Sequence, residues 1–292
     1  MLTLRDRTLA WSRPLLMGVV NANPDSFSDP GSRSLDDVVE RAARLYDDGA
    51  GVLDIGAQSA ITNRAPMDPA EEIALVVPAV EAIVDRCPGA VISVDTFKPA
   101  VVKAALAAGA HLVNDVSGLR DQAVARLCAA YGAGLVVMHT AAGPLTRLHD
   151  PDRYTAVAAE VASFLSAQIA AAVALGVARD SIVVDPGVDF TKTPAQTLAL
   201  LRDIGRVVAL GHPVLLALSR KDFVGALTRR PPAQRGPGTL GAVAALRRVP
   251  QQILRVHDVV ATRDFLLVLD TVDGVLEPNG NLALPEHLRH ER

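Results

Sequence analysis

Short apolar segments recur along the chain, and each is followed by a segment with helical periodicity. Several of them do not alternate with polar residues, as expected of strands covered on both faces of a parallel sheet. The eight apolar segments are LLMGVV (15–20), GVLDI (51–55), AVISV (90–94), HLVN (111–114), GLVVM (134–138), SIVVD (181–185), PVLLAL (213–218) and ILRV (253–256). Helical segments at 34–49, 69–86 and 99–109 follow the first three. Eight such units predict a single-domain α/β fold, a closed (β/α)8 TIM barrel, with an open Rossmann-type sheet as the alternative.

Polar side chains follow almost every predicted strand, which favours the barrel. In a barrel the strand ends converge on one opening, where the active sites of TIM barrels lie, whereas an open sheet spreads them along an edge. A GxGxxG motif is also missing after the first strand, which disfavours the dinucleotide-binding sheet. The strand-end residues are Asn21, Asp54, Asp95, Asn114, Asp115, His139, Asp185, Ser219, Lys221, Arg255 and His257.

Composition narrows the class of partner. The 292 residues are 50% hydrophobic and carry a net charge of −3, which excludes disorder as the main state. Only 3% are aromatic and no basic excess exists, so we expect a small-molecule partner and no nucleic acid. We predict that residues 1–276 form the barrel and that 277–292 are a polar tail.

The cysteines and the apolar stretches indicate the cellular compartment of the protein. Cys87 and Cys128 lack metal-ligand or CxxC spacing, so we expect buried thiols of a cytoplasmic protein. Charged residues interrupt the first 14 positions, so no signal peptide is expected. The uncharged stretch 161–178 approaches the length of a membrane span, but its alanines and polar residues favour a helix with one buried face.

Two polar groupings are candidates for binding an anion. The first loop (21–34) holds Asp25, Ser26 and Asp29 and is long for a βα connection, although turn chemistry and a helix cap at Ser34 also explain it. Arg255 and His257 lie on one face of the last strand, next to Asn21 in a closed barrel. They predict a phosphate or diphosphate site, and an ion pair of Arg255 with a nearby carboxylate such as Asp258 is the alternative.

The ends of the third, fourth and sixth strands carry Asp95, Asn114 and Asp185. Such a set can accept hydrogen bonds from the N–H groups of a flat heterocycle. A metal site and helix capping are the alternatives. Lys192 and Lys221, two of only four lysines, follow strands six and seven and are candidate compact donors to a ring atom.

Together these segments resemble the dihydropteroate synthase family, from Met17 to about Val275. The resemblance is carried by MGVVNANPDSFSD (17–29), DIG (54–56), SVDT (93–96), ND (114–115), DPGVDFTKT (185–193), SRK (219–221) and RVHDV (255–259). It implies a folate-biosynthesis transferase, usually dimeric. In that reaction 6-hydroxymethyl-7,8-dihydropterin diphosphate loses its Mg²⁺-bound diphosphate, and the amine of 4-aminobenzoate attacks the exposed methylene carbon. Such chemistry depends on positioning and charge stabilisation more than on acid–base catalysis.

The resemblance also implies roles for individual residues. The implied pterin site comprises Asp95, Asn114, Asp185 and Lys221, with Met138 and Phe190 as apolar walls. The implied diphosphate site comprises Asn21, Arg255 and His257, and Asn21 is the implied Mg²⁺ ligand. The implied catalytic residues are Asp25 and Asp29, which close over the reacting centre, and Lys221.

Three departures from the family pattern concern the acceptor. The second loop normally reads E-S-T-R-P-G, but here it is QSAITNRAP (58–66), with Ala60 and Ile61 in place of Thr and Arg. Asp222 follows SRK, where a small or basic residue is usual, and a carboxylate there repels an acceptor carboxylate. Asp189 and Thr191 replace customary glycines. The residues expected at the acceptor site are Ser59, Arg64, Ser219 and Asp222.

The alternatives fall into three classes. The first is a divergent paralogue that binds pterin but uses another acceptor or is not catalytic. A corrinoid-linked methyltransferase shares the pterin barrel but has no use for a diphosphate site. A metal-dependent barrel hydrolase is disfavoured because no HxH follows the first strand.

Overall fold

Eight parallel strands close into a barrel, in the order β10-β3-β4-β5-β6-β7-β8-β9. The computed structural model describes residues 1–23, 34–58, 65–144, 146, 148–278, 280 and 282–289. The strands are β3 (Leu15–Asn21), β4 (Val52–Gly56), β5 (Val91–Asp95), β6 (Leu112–Asp115), β7 (Gly134–Met138), β8 (Ile182–Asp185), β9 (Val214–Leu216) and β10 (Gln252–Val256). The predicted TIM barrel and its eight strands are confirmed, and the open sheet is excluded.

Helices surround the barrel. They are α1 (Leu35–Asp47), α2 (Pro69–Arg86), α3 (Pro99–Ala107), α4 (Gln122–Tyr131), α5 (Val157–Ala174), α6 (Pro194–Arg202), α7 (Gly205–Val208), α8 (Asp222–Thr228), α9 (Gly236–Leu246) and α10 (Val259–Val272). Ser34 caps α1 as predicted: its side chain accepts from the Asp37 amide, and the Asp37 side chain accepts from the Ser34 amide. The cap therefore fixes where the first loop ends and the first barrel helix begins.

An N-terminal hairpin closes the end of the barrel opposite the strand carboxyl ends. Strands β1 (Leu2–Leu4) and β2 (Arg7–Leu9) pair antiparallel, and the side chains of Leu2 and Leu4 are fully buried. Both leucines join an apolar cluster to which every barrel strand contributes one residue. The sequence analysis did not find this hairpin, because three-residue strands give almost no periodic signal.

The period of two along each strand places the site. The strand residues of the apolar cluster are Met17, Val52, Val91, Leu112, Val136, Val183, Leu215 and Ile253. Two positions nearer the carboxyl ends, the same strands carry Val19, Asp54, Ser93, Asn114, Met138, Asp185, Ala217 and Arg255. Because alternate residues share a face, these eight also point into the barrel. An apolar layer is thus covered by a largely polar one at the opening.

Helix α5 and the two cysteines are part of the packed barrel. By length and composition alone, α5 could cross a membrane, a test that the core helix of a globular protein also passes. Its buried face, which includes Val161, Leu165 and Ile169, joins the core between strands and helices, as predicted. Cys87 and Cys128 are buried free thiols, also as predicted. Beyond α10 the described residues form only a short 3₁₀ turn at Glu286–Leu288.

Candidate active site

Asp54 is the hub of the polar layer. It is fully buried on β4, and its Oδ1 accepts the Ser93 hydroxyl at 2.6 Å. Its Oδ2 accepts Asn114 Nδ2 at 3.0 Å and Arg255 Nε at 2.7 Å. Three strands besides β4 are therefore tied to one carboxylate.

Arg255 extends this network to the opening. Its Nε lies on Asp54 and its Nη2 donates to Asp95 Oδ2 at 2.9 Å. Burial opposes the charge of Arg255, but the two carboxylates outweigh burial and raise the pKa of the guanidinium. Arg255 thus pairs with nearby carboxylates, as the alternative predicted, but these are Asp54 and Asp95. Asp258 instead accepts the Ala261 amide and caps α10.

Asn114 offers an unused acceptor in this buried setting. Its Nδ2 donates to Asp54, and because a carboxylate only accepts, this bond fixes the orientation of the amide group. Its Oδ1 is buried and meets no donor within the part of the chain that the structure describes. A buried acceptor without a partner costs free energy that a ligand N–H group would recover.

Asp95 and Asp185 lie in surroundings that disfavour their charge. Burial, reinforced by Asp54 and opposed by Arg255, raises the pKa of Asp95 to about 7. Burial also raises the pKa of Asp185, whose Oδ1 accepts the Gly187 amide at 2.7 Å. We call Asp54, Asp95, Asn114, Asp185 and Arg255 the carboxylate cluster.

Lys221, Phe190 and Met138 line the same region. Burial lowers the pKa of Lys221, against the opposing charges of Asp189 and Asp185, and its Nζ lies 4.5 Å from the centre of the Phe190 ring. Met138 is buried on β7 and pairs in register with Asp185 of β8. The structure thus gathers all six predicted pterin-site residues at the barrel opening.

Lys192, in contrast, is turned into the protein. Its fully buried Nζ donates to the carbonyls of Gly187 and Phe190 at 2.8 and 3.0 Å, and it lies 2.9 Å from His139 Nδ1. Burial lowers the pKa of Lys192 to about 7, and burial with the Lys192 charge lowers that of His139 to about 3. Lys192 therefore holds the loop that carries Phe190, and it is not a donor at the opening.

The two residues that replace customary glycines have a left-handed backbone conformation. Asp189 and Thr191 have φ values of 63° and 52°, which explains why glycine is customary there. Asp189 offsets the strain with side-chain bonds: Oδ2 accepts the Asp222 and Phe223 amides at the start of α8, and Oδ1 accepts the Thr197 hydroxyl. This departure thus anchors the Lys221 segment.

A second group of predicted residues lies in a polar cavity of about 300 Å³ beside the carboxyl ends of β3 and β10. Its polar lining contains three arginines besides the predicted Asn21 and His257, and two carboxylates. We call it the basic cavity; it is lined by Val19, Asn21, Arg41, Arg44, Leu45, Asp48, Arg220, His257, Asp258 and Val259.

His257 makes two contacts with Ser219 at the edge of the basic cavity. The Ser219 Oγ accepts the His257 amide at 3.3 Å and lies 2.9 Å from Nδ1. Burial, followed by the charges of Arg220, Arg255, Lys221 and Arg41, lowers the pKa of His257 to about 3. The imidazole is therefore neutral, and its Nδ1 shares one hydrogen bond with the Ser219 hydroxyl. Ser219, expected at the acceptor site, thus serves the basic cavity.

Asp222 has a cationic partner at the expected acceptor side. Arg235 Nη1 donates to Asp222 Oδ1 at 3.0 Å and to the Arg220 carbonyl at 2.8 Å. The Asp222 side chain is 58% exposed, so solvent screens its charge as well. Arg235 and solvent therefore weaken the repulsion that Asp222 would exert on an acceptor carboxylate.

A buried ion pair supports the base of the second loop. Lys98 Nζ donates to Glu72 Oε2 at 2.5 Å and to Gln58 Oε1 at 2.6 Å. Gln58 opens the second loop at the position of the family's glutamate, and Glu72 supplies the carboxylate instead. Beyond Gln58 the loop from 59 to 64 lies outside the described residues.

Several predicted residues cannot be placed. Asp25, Asp29, Ser59 and Arg64 lie outside the described residues, as do Ala60 and Ile61. Their roles stay predictions.

The sequence analysis assigned no role to Asp54, Arg41 or Arg220. The sequence could have indicated Asp54, because it lies two positions after Val52 on the same strand. It therefore shares the inward face of the barrel with that apolar residue. No such indication exists for Arg41, because a charged residue on an amphipathic helix is ordinarily solvated.

Comparisons with known proteins agree with this geometry. The model of the family "Pterin binding enzyme" matches residues 17–257. Over 281 residues the chain is 40% identical to "Inactive dihydropteroate synthase 2" of Mycobacterium tuberculosis, which covers 94% of this chain and 88% of that protein. Over 285 residues it is 34% identical to "Dihydropteroate synthase" of Escherichia coli, with 97% of each chain covered.

A solved structure is similar as well. Dihydropteroate synthase from Xanthomonas albilineans in complex with 7,8-dihydropteroate superposes with a TM-score of 0.81 and 38% identity, over 92% of this chain and 97% of that one. A closed barrel with pterin-type acceptors at its opening defines a pterin-binding barrel protein. The chain belongs to the pterin-binding enzyme family, and within it to the dihydropteroate synthase-like proteins.

Proposed function

We propose that this chain is a transferase that condenses 6-hydroxymethyl-7,8-dihydropterin diphosphate with 4-aminobenzoate or a related arylamine and releases diphosphate. The carboxylate cluster would bind the pterin, and the adjoining basic cavity the diphosphate. The observation that carries the proposal is the buried Oδ1 of Asn114, which meets no donor among the described residues, while its Nδ2 donates to Asp54. A ring rich in N–H donors complements that set.

Arg255 connects the two halves of the proposed substrate. Its Nη2 is held by Asp95, which is also a proposed pterin acceptor. When pterin N–H groups occupy Asp95, this Nη2 becomes available to the diphosphate while Nε stays on Asp54. The guanidinium then stabilises negative charge that develops on the leaving oxygen as the carbon–oxygen bond breaks.

Asn21 fits a role as Mg²⁺ ligand. It lines the basic cavity, and the oxygen of its side-chain amide is a hard donor that suits Mg²⁺. Mg²⁺ commonly takes few protein ligands and completes its shell with substrate phosphates and water. When bound, the ion would neutralise charge on the leaving diphosphate.

The acceptor side offers few groups that could bind the carboxylate of 4-aminobenzoate. Asp222 would face an acceptor carboxylate only as part of an ion pair with Arg235. The replaced residues Ala60 and Ile61 offer no hydrogen bonds to that carboxylate. We therefore propose weaker use of 4-aminobenzoate than of an arylamine without a carboxylate.

A turnover assay tests the function. The purified chain is incubated with the pterin diphosphate, Mg²⁺ and a panel of arylamines, including aniline and 4-aminobenzoate, and diphosphate release is measured. Amine-dependent release is expected. Lack of release with every amine, while the pterin diphosphate still binds, would replace this proposal with the second candidate.

The second candidate is a non-catalytic pterin-binding paralogue. It is favoured by the similarity to "Inactive dihydropteroate synthase 2" of M. tuberculosis and by the acceptor-side departures. The basic cavity argues against it, because binding of a bare pterin requires no cationic pocket.

Assembly and location stay proposals. We propose a homodimer in the cytoplasm. Light scattering after size exclusion tests the first and cell fractionation the second.

A further inference from the structure

Asp189 places a carboxylate of the protein beside the proposed pterin site. It directly precedes Phe190, whose ring centre lies 4.5 Å from Lys221 Nζ, and both of those residues belong to that site. The backbone of Asp189 is left-handed, with a φ of 63°. Because glycine fits such a backbone at lower cost, the role of Asp189 lies in its side chain.

Both oxygens of the Asp189 carboxylate accept hydrogen bonds from the protein. Its Oδ2 accepts the main-chain amides of Asp222 and Phe223, the latter at 3.2 Å. Its Oδ1 accepts the Thr197 hydroxyl at 3.0 Å. Lys221, which precedes the two amides, makes no side-chain bond to them within the described part of the chain. Asp189 thus satisfies both amides, and they are not available to a second anion.

The proposed function brings the acceptor to this edge of the opening. The acceptor amine has to reach the carbon next to the pterin ring, so the acceptor lies on the open side of Phe190 and Lys221. The partly exposed Asp189 borders that side. Asp222 lies there as well, but it is paired with Arg235. An acceptor carboxylate would therefore meet the charge of Asp189 and find the nearest amide donors taken.

We propose that Asp189 is a specificity-determining residue that excludes acceptors with a carboxylate remote from the reacting amine. Its own carboxylate occupies the amides of Asp222 and Phe223 in place of a carboxylate of the ligand. The acceptor class is then an arylamine whose remote group is uncharged, such as a carboxamide, whose N–H groups Asp189 can accept. The inference deepens the proposed function and rests on it for the position of the acceptor.

Two compounds that differ in charge and little in shape test this role by binding alone. Calorimetry measures the Kd of 4-aminobenzoate and of 4-aminobenzamide in the presence of 6-hydroxymethylpterin and diphosphate. The wild type should bind the carboxamide about tenfold more tightly. Asp189→Gly should remove most of that preference, because it removes a like charge and leaves two amide donors free. Asp189→Asn, which keeps an acceptor for the amides without the charge, should give an intermediate ratio.

Thr191→Gly is the matched control. Thr191 has the same left-handed backbone, with a φ of 52°, two residues further along the same loop, and it carries no charge. Glycine at this position should loosen the loop in the same way and leave the ratio of the two Kd values unchanged. A purely structural role for Asp189 predicts instead that both compounds and the pterin lose affinity together in Asp189→Gly.

The outcomes separate this inference from the proposed function. The same ratio of Kd values in the wild type and in Asp189→Gly overturns the role of Asp189, as does tighter wild-type binding of 4-aminobenzoate or no binding of either compound. Thermal melts show whether each variant is folded, and Asp189→Asn carries the same test if Asp189→Gly does not fold. A carboxamide preference that depends on Asp189, without amine-dependent release of diphosphate, upholds the role and overturns only the transferase proposal.

Discussion

Arg255 and His257 lie two residues apart on one strand and belong to opposite electrostatic environments. Arg255 is surrounded by carboxylates, which raise the pKa of its guanidinium against burial. His257 is buried beside arginines and a lysine, and the pKa of its imidazole falls to about 3. The boundary between an acidic interior and a basic cavity thus crosses the end of β10.

The two environments together indicate a substrate with two chemically different parts. The acidic side matches a heterocycle rich in N–H donors, and the basic side matches an attached anion. A bond that joins the two parts would lie at the boundary, near Arg255 and Ser219. Cleavage there leaves the anion in the cavity and the carbon exposed at the opening.

The largest expected effects come from substitutions of carboxylates on the acidic side, and Asp54 is their hub. Asp54→Asn should weaken pterin binding about a hundredfold or more, because Arg255 and Asn114 lose a shared charged acceptor. It should also lower the free energy of unfolding by about 3 kcal/mol, because the arginine loses one of its two carboxylates. Calorimetry and urea denaturation measure the two quantities.

Asp258→Asn is the control for that prediction. It removes a carboxylate near Arg255 but keeps an amide that can cap α10. Undiminished pterin affinity in Asp54→Asn would contradict a pterin site at the carboxylate cluster. The same readout applies to Asp95→Ala and Asp185→Ala, which we expect to abolish pterin binding without unfolding the chain.

Substitution of Arg255, at the boundary, should affect binding of the diphosphate part and of the pterin part to different extents. Arg255→Ala should weaken the pterin diphosphate about tenfold more than the free hydroxymethyl pterin, the value of one charge-assisted contact to the anion. Competition binding with both ligands measures the difference. An equal loss of affinity for both ligands would show that Arg255 makes no contact with the diphosphate.

A pH profile tests the acidic side without mutation. The pKa of Asp95 is raised to about 7, and its carboxylate form accepts the pterin donors. Affinity for the free pterin should therefore rise as pH rises, by about tenfold between pH 6 and pH 8. In Asp95→Asn the residual binding should be flat over this range, and a matching slope in that variant would assign the titration elsewhere.

The smallest effect is expected at the acceptor side. Asp222→Ser should raise kcat/KM for 4-aminobenzoate only about threefold, because Arg235 and solvent already screen the carboxylate. The triple variant with Ala60→Thr and Ile61→Arg should gain about tenfold, or ~1.4 kcal/mol of transition-state stabilisation. Efficient wild-type use of 4-aminobenzoate with no gain in the triple variant would show an ordinary acceptor site.

Sequence periodicity predicted the barrel well, because eight buried strands each leave an uninterrupted apolar run. It failed for the hairpin that closes the barrel, since Leu2–Leu4 is too short to show a period. At the site, the strand-end residues were predictable from the convergence of strands at one opening.

The contacts among site residues were not predictable. Arg255 meets Asp54, 201 positions earlier in the chain, and only closure of the barrel brings them together. The pairing of Asp222 with Arg235 depends on how a loop of irregular structure folds back over α8. The position of Arg41 in the lining of the same cavity as His257 likewise follows only from the folded barrel.

The most direct test of the opposed regions is a crystal structure of the chain with a non-hydrolysable pterin diphosphate analogue. The account predicts the pterin ring against Asp95, Asn114 and Asp185, with an N–H donor on Asn114 Oδ1. It predicts the diphosphate in the basic cavity, in contact with His257. A ring bound outside the carboxylate cluster, or a diphosphate held without contact to the basic cavity, would contradict it.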